Sequence, residues 1–94
     1  MALFFMFGKY SPQAVKEISK EPTQKVLEIA RRFGGEIKQM HVLLGAYDLV
    51  LIAEFPVMKE ALQASVAVTK ATDISFSTLP AVSVEEFDQL VSKR

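Results

Sequence analysis

The sequence predicts an α+β fold of the ferredoxin-like type, an antiparallel sheet with helices on one face plus a C-terminal helix. Three observations predict it. Strand and helix patterns follow one another in the order β-α-β-β-α-β, with one further helix behind them. A tight reversal is marked at residues 44–47, where Gly45 stands between two apolar runs at a position that favours positive φ. The length of 94 residues suits one domain, which we expect to span residues 1–94.

The first half begins with a strand over residues 2–10 that is apolar on both faces, the pattern of a strand inside a sheet. Ser11-Pro12 predicts a helix start, with serine as N-cap and proline at the first helical position. Pro22 predicts a kink or a division into two short helices. Gly34-Gly35 predicts the helix end. The first apolar stripe of this helical region is formed by Ala14, Val15 and Ile18.

The hairpin joins two unlike strands. Residues 36–43 mix polar and apolar side chains, which predicts an edge strand. Residues 48–55 are apolar on both faces and predict a second central strand. A helix over 57–71 follows, and its apolar positions extend well beyond one stripe. Such a helix usually contacts a partner beyond its own sheet.

The chain ends with a strand and a helix. Residues 73–79 alternate apolar and polar side chains, and Pro80 predicts the end of that strand. Ser83 followed by Glu86 is a capping box, which predicts the start of the last helix.

Helices on one face would leave the other apolar face of the central strands in water. Burial of a Phe-sized side chain contributes roughly 1.5–3 kcal/mol, so several exposed ones would be costly and prone to aggregation. The same face of a second copy is the simplest cover. We therefore expect a homodimer or a larger homo-oligomer.

Composition excludes several classes of function. The 11 basic and 11 acidic residues cancel, so no net charge attracts nucleic acid or an anionic membrane. The absence of cysteine excludes disulfides and thiolate metal sites and suits a reducing cytoplasm, where we place the protein. The apolar N-terminal run lacks the flanks of a signal peptide and the ~20 residues of a membrane span. We expect no metal, no cofactor, no nucleic acid and no membrane as partner.

Several short motifs resemble the GYD-domain family. Gly45-x-Tyr47-Asp48 lies on the hairpin, and the strand behind it ends in Glu54-x-Pro56. Further matches are Gly8-Lys9-Tyr10-Ser11-Pro12, Gly34-Gly35, and Thr78-Leu79 before Glu85-Glu86-Phe87. The resemblance covers nearly the whole chain and implies a dimeric α/β-barrel without an established activity. One departure is Val57-Met58 after Pro56, where the family usually has an acidic or small polar N-cap.

The same Gly-x-Tyr-Asp hairpin is similar to that of the ligand-binding domain of Lrp/AsnC-type regulators. That resemblance implies a small-molecule site near the loop, between subunits. A similar fold also occurs in RNA-recognition domains, whose aromatic side chains stack on bases. Those domains need basic and aromatic residues on the third strand, and residues 49–55 offer only Phe55 and no basic residue. Packing in the core and in a dimer explains the aromatic residues of the first strand better.

Five residues are candidates for a ligand site: Tyr10, His41, Gly45, Tyr47 and Asp48. Asp48 could accept a hydrogen bond from an amine or hydroxyl while Tyr47 shapes the wall of a cleft between subunits. The alternative is turn chemistry, in which Asp48 binds backbone amides of the reversal and Tyr47 packs on a neighbouring strand. His41 is the single histidine, and the sequence indicates no orienting partner for it.

These features support three hypotheses. The first, which we adopt, is a small-ligand-binding or assembly module. The second is a cofactor-free oxygenase or isomerase in which His41, Tyr10 or Asp48 handles protons; it rests on fold analogy alone. The third is a structural interaction protein, indicated by the charge-poor second helix. No nucleophile motif, phosphate loop or metal cluster is recognisable, so no catalytic residue is assigned.

Overall fold

A computed structural model describes residues 1–16 and 20–92 of the chain. The strands are β1 (Ala2–Tyr10), β2 (Glu36–Val42), β3 (Leu49–Phe55) and β4 (Ile74–Ala81). The helices are α1 (Pro12–Lys16), α2 (Lys20–Arg32), α3 (Met58–Thr72) and α4 (Val84–Ser92). The described residues of the helical region before the hairpin form α1 and α2, and residues 17–19 between them lie outside the described residues. The kink or division predicted from Pro22 therefore stays a prediction. Pro22 lies in the first turn of α2, where a missing N–H removes no intrahelical bond.

The first apolar stripe is only partly as predicted. Ala14 is buried, but Val15 is exposed. Ile18 lies outside the described residues.

The four strands form one antiparallel sheet in the order β2-β3-β1-β4. β1 and β3 are central and β2 is an edge, as their hydrophobic patterns predict. The prediction that Pro80 ends the last strand is wrong. β4 continues to Ala81, and Pro80 pairs with Phe4 of β1. An edge strand tolerates proline because one row of its amides faces away from the sheet.

The core lies between one face of the sheet and the helices. It contains Phe4 and Met6 of β1; Leu49, Leu51, Ala53 and Phe55 of β3; Val26, Ile29 and Ala30 of α2; and Ala61, Ala64 and Val68 of α3. The rings of Phe4 and Phe55 meet edge to face with centroids 6.2 Å apart. The predicted ferredoxin-like class is therefore confirmed.

The opposite side of the sheet, here called the open face, carries Leu3, Phe5, Phe7, Val50, Ile52 and Leu79. No described helix packs against it, and Leu3, Phe5, Phe7 and Ile52 are only partly buried. The apolar second face that the sequence predicts is present and uncovered in one copy of the chain.

Two predicted helix starts are capped as expected. The Ser11 Oγ accepts a hydrogen bond from the Ala14 N–H at 3.0 Å. The Ser83 Oγ accepts one from the Glu86 N–H, also at 3.0 Å. α3 begins differently, because its N-cap is Val57 and has no side-chain hydrogen bond. The departure from the family pattern therefore leaves α3 without a polar cap.

α4 stands apart from the core, since none of its described side chains is buried. Its sequence is nevertheless amphipathic, with one apolar stripe formed by Val84, Phe87, Leu90 and Val91. Each of these side chains is more than half exposed. The outer side of α3 carries a second exposed apolar stripe, formed by Met58, Leu62 and Val66.

Candidate functional site

A cavity of about 580 Å³ lies on the helix side of the sheet, at the end where β1 stops and β4 starts. α1, α2 and the last turn of α3 form its other walls. Its main apolar lining residues are Ala14, Val26, Met40, Leu49 and Ile74. Its main polar lining residues are Tyr10, Thr23, Lys25, His41, Lys70, Thr72 and Asp73. The volume lies in the range of small-molecule sites, about 300–1,000 Å³.

The mouth of the cavity is framed by a contact between two helix ends. Asp73 ends α3 in the left-handed conformation, with φ 62°, and its N–H donates to the Thr69 carbonyl at 2.8 Å. The Ser11 hydroxyl donates to the Asp73 carboxylate, and the Ser11 N–H donates to the Asp73 carbonyl at 3.4 Å. The start of α1 is therefore tied to the end of α3.

Tyr10 is the predicted site residue that the structure places most directly in the cavity. It pairs with Ile74 at the end of β1 and packs, partly buried, against the core. Asp48 holds the backbone of Tyr10, because the Asp48 Oδ2 accepts a hydrogen bond from the Tyr10 N–H at 2.9 Å. The Asp48 N–H donates to the Gly8 carbonyl at 2.8 Å. Asp48 thus extends the pairing of β1 and β3 by one residue beyond Leu49.

Asp48 also lies 3.8 Å from the Lys9 ammonium. The backbone N–H that donates to the Asp48 carboxylate belongs to β1. The turn-chemistry alternative predicted that N–H groups of the reversal itself would donate to this carboxylate. The Asp48 carboxylate therefore supports the position of Tyr10, while Asp48 itself does not line the cavity.

The other two hairpin residues lie away from the cavity. The reversal at 44–47 is closed by a hydrogen bond from the Leu43 N–H to the Asp48 carbonyl at 2.8 Å. Gly45 is exposed there with φ 148°, so the predicted positive φ is present. The Tyr47 ring packs on Phe7, with centroids 5.3 Å apart, and so borders the open face. The tyrosine thus packs on a neighbouring strand, as the turn-chemistry alternative predicts.

His41 lines the edge of the cavity, but its side chain belongs to the other side of β2. Met40 pairs with the core residue Leu51, whereas His41 pairs with Val50 on the open face. The His41 Nε2 lies 3.0 Å from the Gln39 Oε1, two residues away on that same side. His41 therefore has a partner that the sequence did not indicate. The alternation along β2 separates its imidazole from the Tyr10 side chain.

Sequence reasoning missed Lys25, Lys70 and Asp73 as lining residues. Lys25 lies on α2 of the first β-α-β half, and Lys70 and Asp73 lie on and directly after α3 of the second half. Only the packing of α2 beside α3 brings them together. One topological signal was available. β1 and β4 are antiparallel neighbours, so the residue after β1 and the residue before β4 must meet at one end of the sheet.

The described part of the chain offers neither a metal-binding cluster nor a membrane-spanning helix. It contains no group of three or more His, Asp or Glu side chains placed to hold a metal ion. None of its helices is both long enough and apolar enough to cross a membrane.

The sheet order, the one-sided helices and the end cavity define a ferredoxin-like α+β domain with an uncovered sheet face. The chain belongs to the GYD domain family, whose sequence profile matches residues 4–91. No curated protein matches the chain.

The fold is also similar to a solved structure, that of the Mycobacterium tuberculosis leucine response regulatory protein, LrpA. The TM-score is 0.65 at 8% sequence identity. The match covers 88% of this chain and 51% of that chain, so this chain spans about half the length of the regulator. The likeness confirms the fold and the distant similarity to Lrp/AsnC-type proteins predicted from the hairpin.

Proposed function

We propose that this protein is a small-ligand-binding domain that works as a homodimer or larger homo-oligomer. The observation that carries the proposal is the cavity at the end of the sheet. Its volume of about 580 Å³ suits a small molecule, and its lining combines an apolar inner wall with a few polar groups, the usual composition of such sites. The fold likeness to a response regulatory protein agrees with a sensing role.

Within this proposal the predicted residues take different roles. Tyr10 contacts the ligand, and Asp48 positions Tyr10 through its backbone amide. Tyr47 and the His41 imidazole lie nearer the open face, where a ligand or a second subunit would meet them. Gly45 is exposed on the reversal. The oxygenase or isomerase alternative is not favoured by any contact in the site, because Tyr10 and His41 face opposite sides of the sheet.

The open face supports the homo-oligomer. Its apolar centre is surrounded by polar side chains at the edges of the sheet, such as Glu36, Gln39, Ser75 and Ser77. An apolar core with a polar rim is the anatomy of protein interfaces. Face-to-face packing of two copies would bury these partly exposed residues and give the two-sheet dimer that the family resemblance implies.

The apolar stripes on α3 and α4 lie outside the open face. A second copy would gain further apolar burial if α4 reached across to it. The α3 stripe lies on the helix side of the sheet, so face-to-face packing of two open faces leaves it exposed, and the proposal therefore includes assemblies larger than a dimer.

Native mass spectrometry of Leu79→Lys and Leu62→Lys tests the assembly. The two leucines have equal exposure, 51% each, but Leu79 lies on the open face and Leu62 on the outer side of α3. Equal exposure makes the folding cost of the new charge similar in both. We expect the wild type to be a dimer or larger, Leu62→Lys to remain at least dimeric, and Leu79→Lys to lose the open-face dimer, with circular dichroism confirming that each variant is folded. A monomeric wild type would contradict the homo-oligomer.

The same spectra test ligand binding. We expect freshly purified wild-type protein to retain a small bound mass. Ala71→Trp should lose that mass, because Ala71 is exposed at the rim of the cavity and an indole there would obstruct its opening. Ala46→Trp is the matched control, since Ala46 is exposed on the reversal and lines no part of the cavity. Retention of the bound mass by Ala71→Trp would place the ligand elsewhere and contradict the proposed site.

A further inference from the structure

The inner wall of the cavity is apolar. Val26, Leu49 and Ile74 belong to the buried core, with at most 6% exposure, and also line the cavity. The charged lining residues stand further out, because Lys70 and Asp73 are exposed and Lys25 is only partly buried. A ligand that satisfies both regions has an apolar body directed inward and a charged or polar group at the rim.

Two lysines line the outer part of the cavity. Lys25 and Lys70 both line the cavity, and both also line a shallow groove between α2 and α3. They therefore share the ridge between the two hollows. Lys70 forms no ion pair within the described part of the chain. An ammonium has three N–H donors, so a lysine that already has one partner can still donate to a ligand.

The start of α2 adds to the positive potential at the rim. Pro22 and Thr23, in the first turn of this helix of 13 residues, line the cavity. The N-terminal end of a helix carries partial positive charge and favours anions. The helix end and Lys25 belong to α2 and Lys70 belongs to α3, and all three line the same opening.

Among the described lining residues, Asp73 carries the one carboxylate. The Asp73 carboxylate accepts the Ser11 hydroxyl. The Asp73 N–H and the Thr72 hydroxyl satisfy carbonyls of the last turn of α3, at 2.8 and 2.7 Å. The Asp73 carboxylate keeps its negative charge, but it faces two lysines among the described lining residues, so the charged side chains of the rim sum to a net positive charge that favours an anion.

We infer that the cavity binds a small organic acid, with an apolar or aromatic body against Val26, Leu49 and Ile74 and a carboxylate near Lys70 and Lys25. This rests on the proposed function, that the cavity holds a small ligand, and adds the chemical class of that ligand. Nothing in the inference requires a second subunit.

Three probes with one body and different heads test the class: 3-phenylpropanoate, 3-phenylpropan-1-ol and 3-phenylpropylammonium. Each is titrated into the 94-residue chain at neutral pH and constant ionic strength, and amide shifts are followed by ¹⁵N NMR. We expect the carboxylate to shift the amides of Val26, Leu49 and Ile74 and to bind about tenfold more tightly than the alcohol, as charge-assisted hydrogen bonds allow. The ammonium should bind most weakly.

Lys70→Gln should lower the affinity for 3-phenylpropanoate by about three- to tenfold and leave the alcohol unchanged. Lys59→Gln is the matched control, because it removes the same charge from an exposed position near the other end of α3. It should change neither affinity.

The outcomes separate the two proposals. If the alcohol or the ammonium shifts the same amides with affinity equal to or greater than that of the carboxylate, the inference that the ligand is an organic acid is wrong. The proposal that the cavity binds a small ligand is then still supported. If none of the three probes shifts the cavity amides, both the class and the proposed function are contradicted.

Discussion

Replacement of Gly35 by alanine should destabilise this protein strongly, although Gly35 lies in a short connection. α2 ends with Gly34 at φ 79°, and the N–H groups of Gly34 and Gly35 donate to the carbonyls of Arg31 and Ala30 at 3.0 and 2.9 Å. This pair of hydrogen bonds is a Schellman helix end, as the two adjacent glycines predict. It directs the chain sharply into β2 and brings Gly35 against the end of β3.

The size of the destabilisation caused by Gly35→Ala follows from three distances. A methyl group on Gly35 would lie 2.3 and 2.4 Å from two ring carbons of Phe55 and 2.7 Å from the Glu54 carbonyl oxygen. Carbon atoms in favourable contact are about 3.5–4.0 Å apart, so the ring would have to move by about 1 Å or more. Phe55 is fully buried, and the carbonyl belongs to a central strand, so neither gives way easily. Overpacking costs about 1–3 kcal/mol, and we expect the upper end, a fall in Tm of roughly 12–24 °C.

Thermal and urea unfolding followed by circular dichroism measures the loss. Gly34→Ala is the control, because a methyl group there meets nothing closer than the Pro56 ring at 3.5 Å. Gly34→Ala should lose only the free energy needed to hold alanine in the left-handed conformation, about 1 kcal/mol, which lowers the Tm by roughly 4–8 °C. Adding Phe55→Leu to Gly35→Ala should cost less than Phe55→Leu costs alone, since the smaller side chain relieves the clash. Equal destabilisation by the two glycine variants would refute the steric reasoning.

Two further predictions concern polar contacts outside the core. Val57→Ser should supply the missing N-cap of α3 and raise the stability by about 1 kcal/mol, or roughly 4–8 °C in Tm. Val66→Ser, with the same exposure of 56% but a position inside the helix, should give no gain, and an equal gain would argue against capping. Asp48→Ala should cost about 1–2 kcal/mol and speed hydrogen exchange at the Tyr10 amide, whereas Asp48→Asn should retain most of the protection. Unchanged exchange in Asp48→Ala would show that the 2.9 Å contact is not maintained in solution.

Local patterns predicted the elements of this fold because each depends on neighbouring residues. A run that is apolar on both faces identifies a central strand, and β1 and β3 carry such runs. Ser11 and Ser83 cap helices through amides three residues away, so their roles could be seen in the sequence. The exception, Pro80, shows the limit of local reasoning. A proline ends a central strand but not an edge strand, and its neighbours decide which applies.

The sequence by itself determined the order of the elements, the two central strands and the presence of two apolar sheet faces. Only the tertiary structure decided the site. The hydrogen bond between the Tyr10 N–H and the Asp48 carboxylate links residues 38 positions apart in the sequence. The hydrogen bond between the Ser11 hydroxyl and the Asp73 carboxylate links residues 62 positions apart. His41 shares an edge with Tyr10 but faces the other side of the sheet. The physical reason is that periodicity assigns a side chain to a face of its own element, whereas a cavity requires the relative placement of several elements.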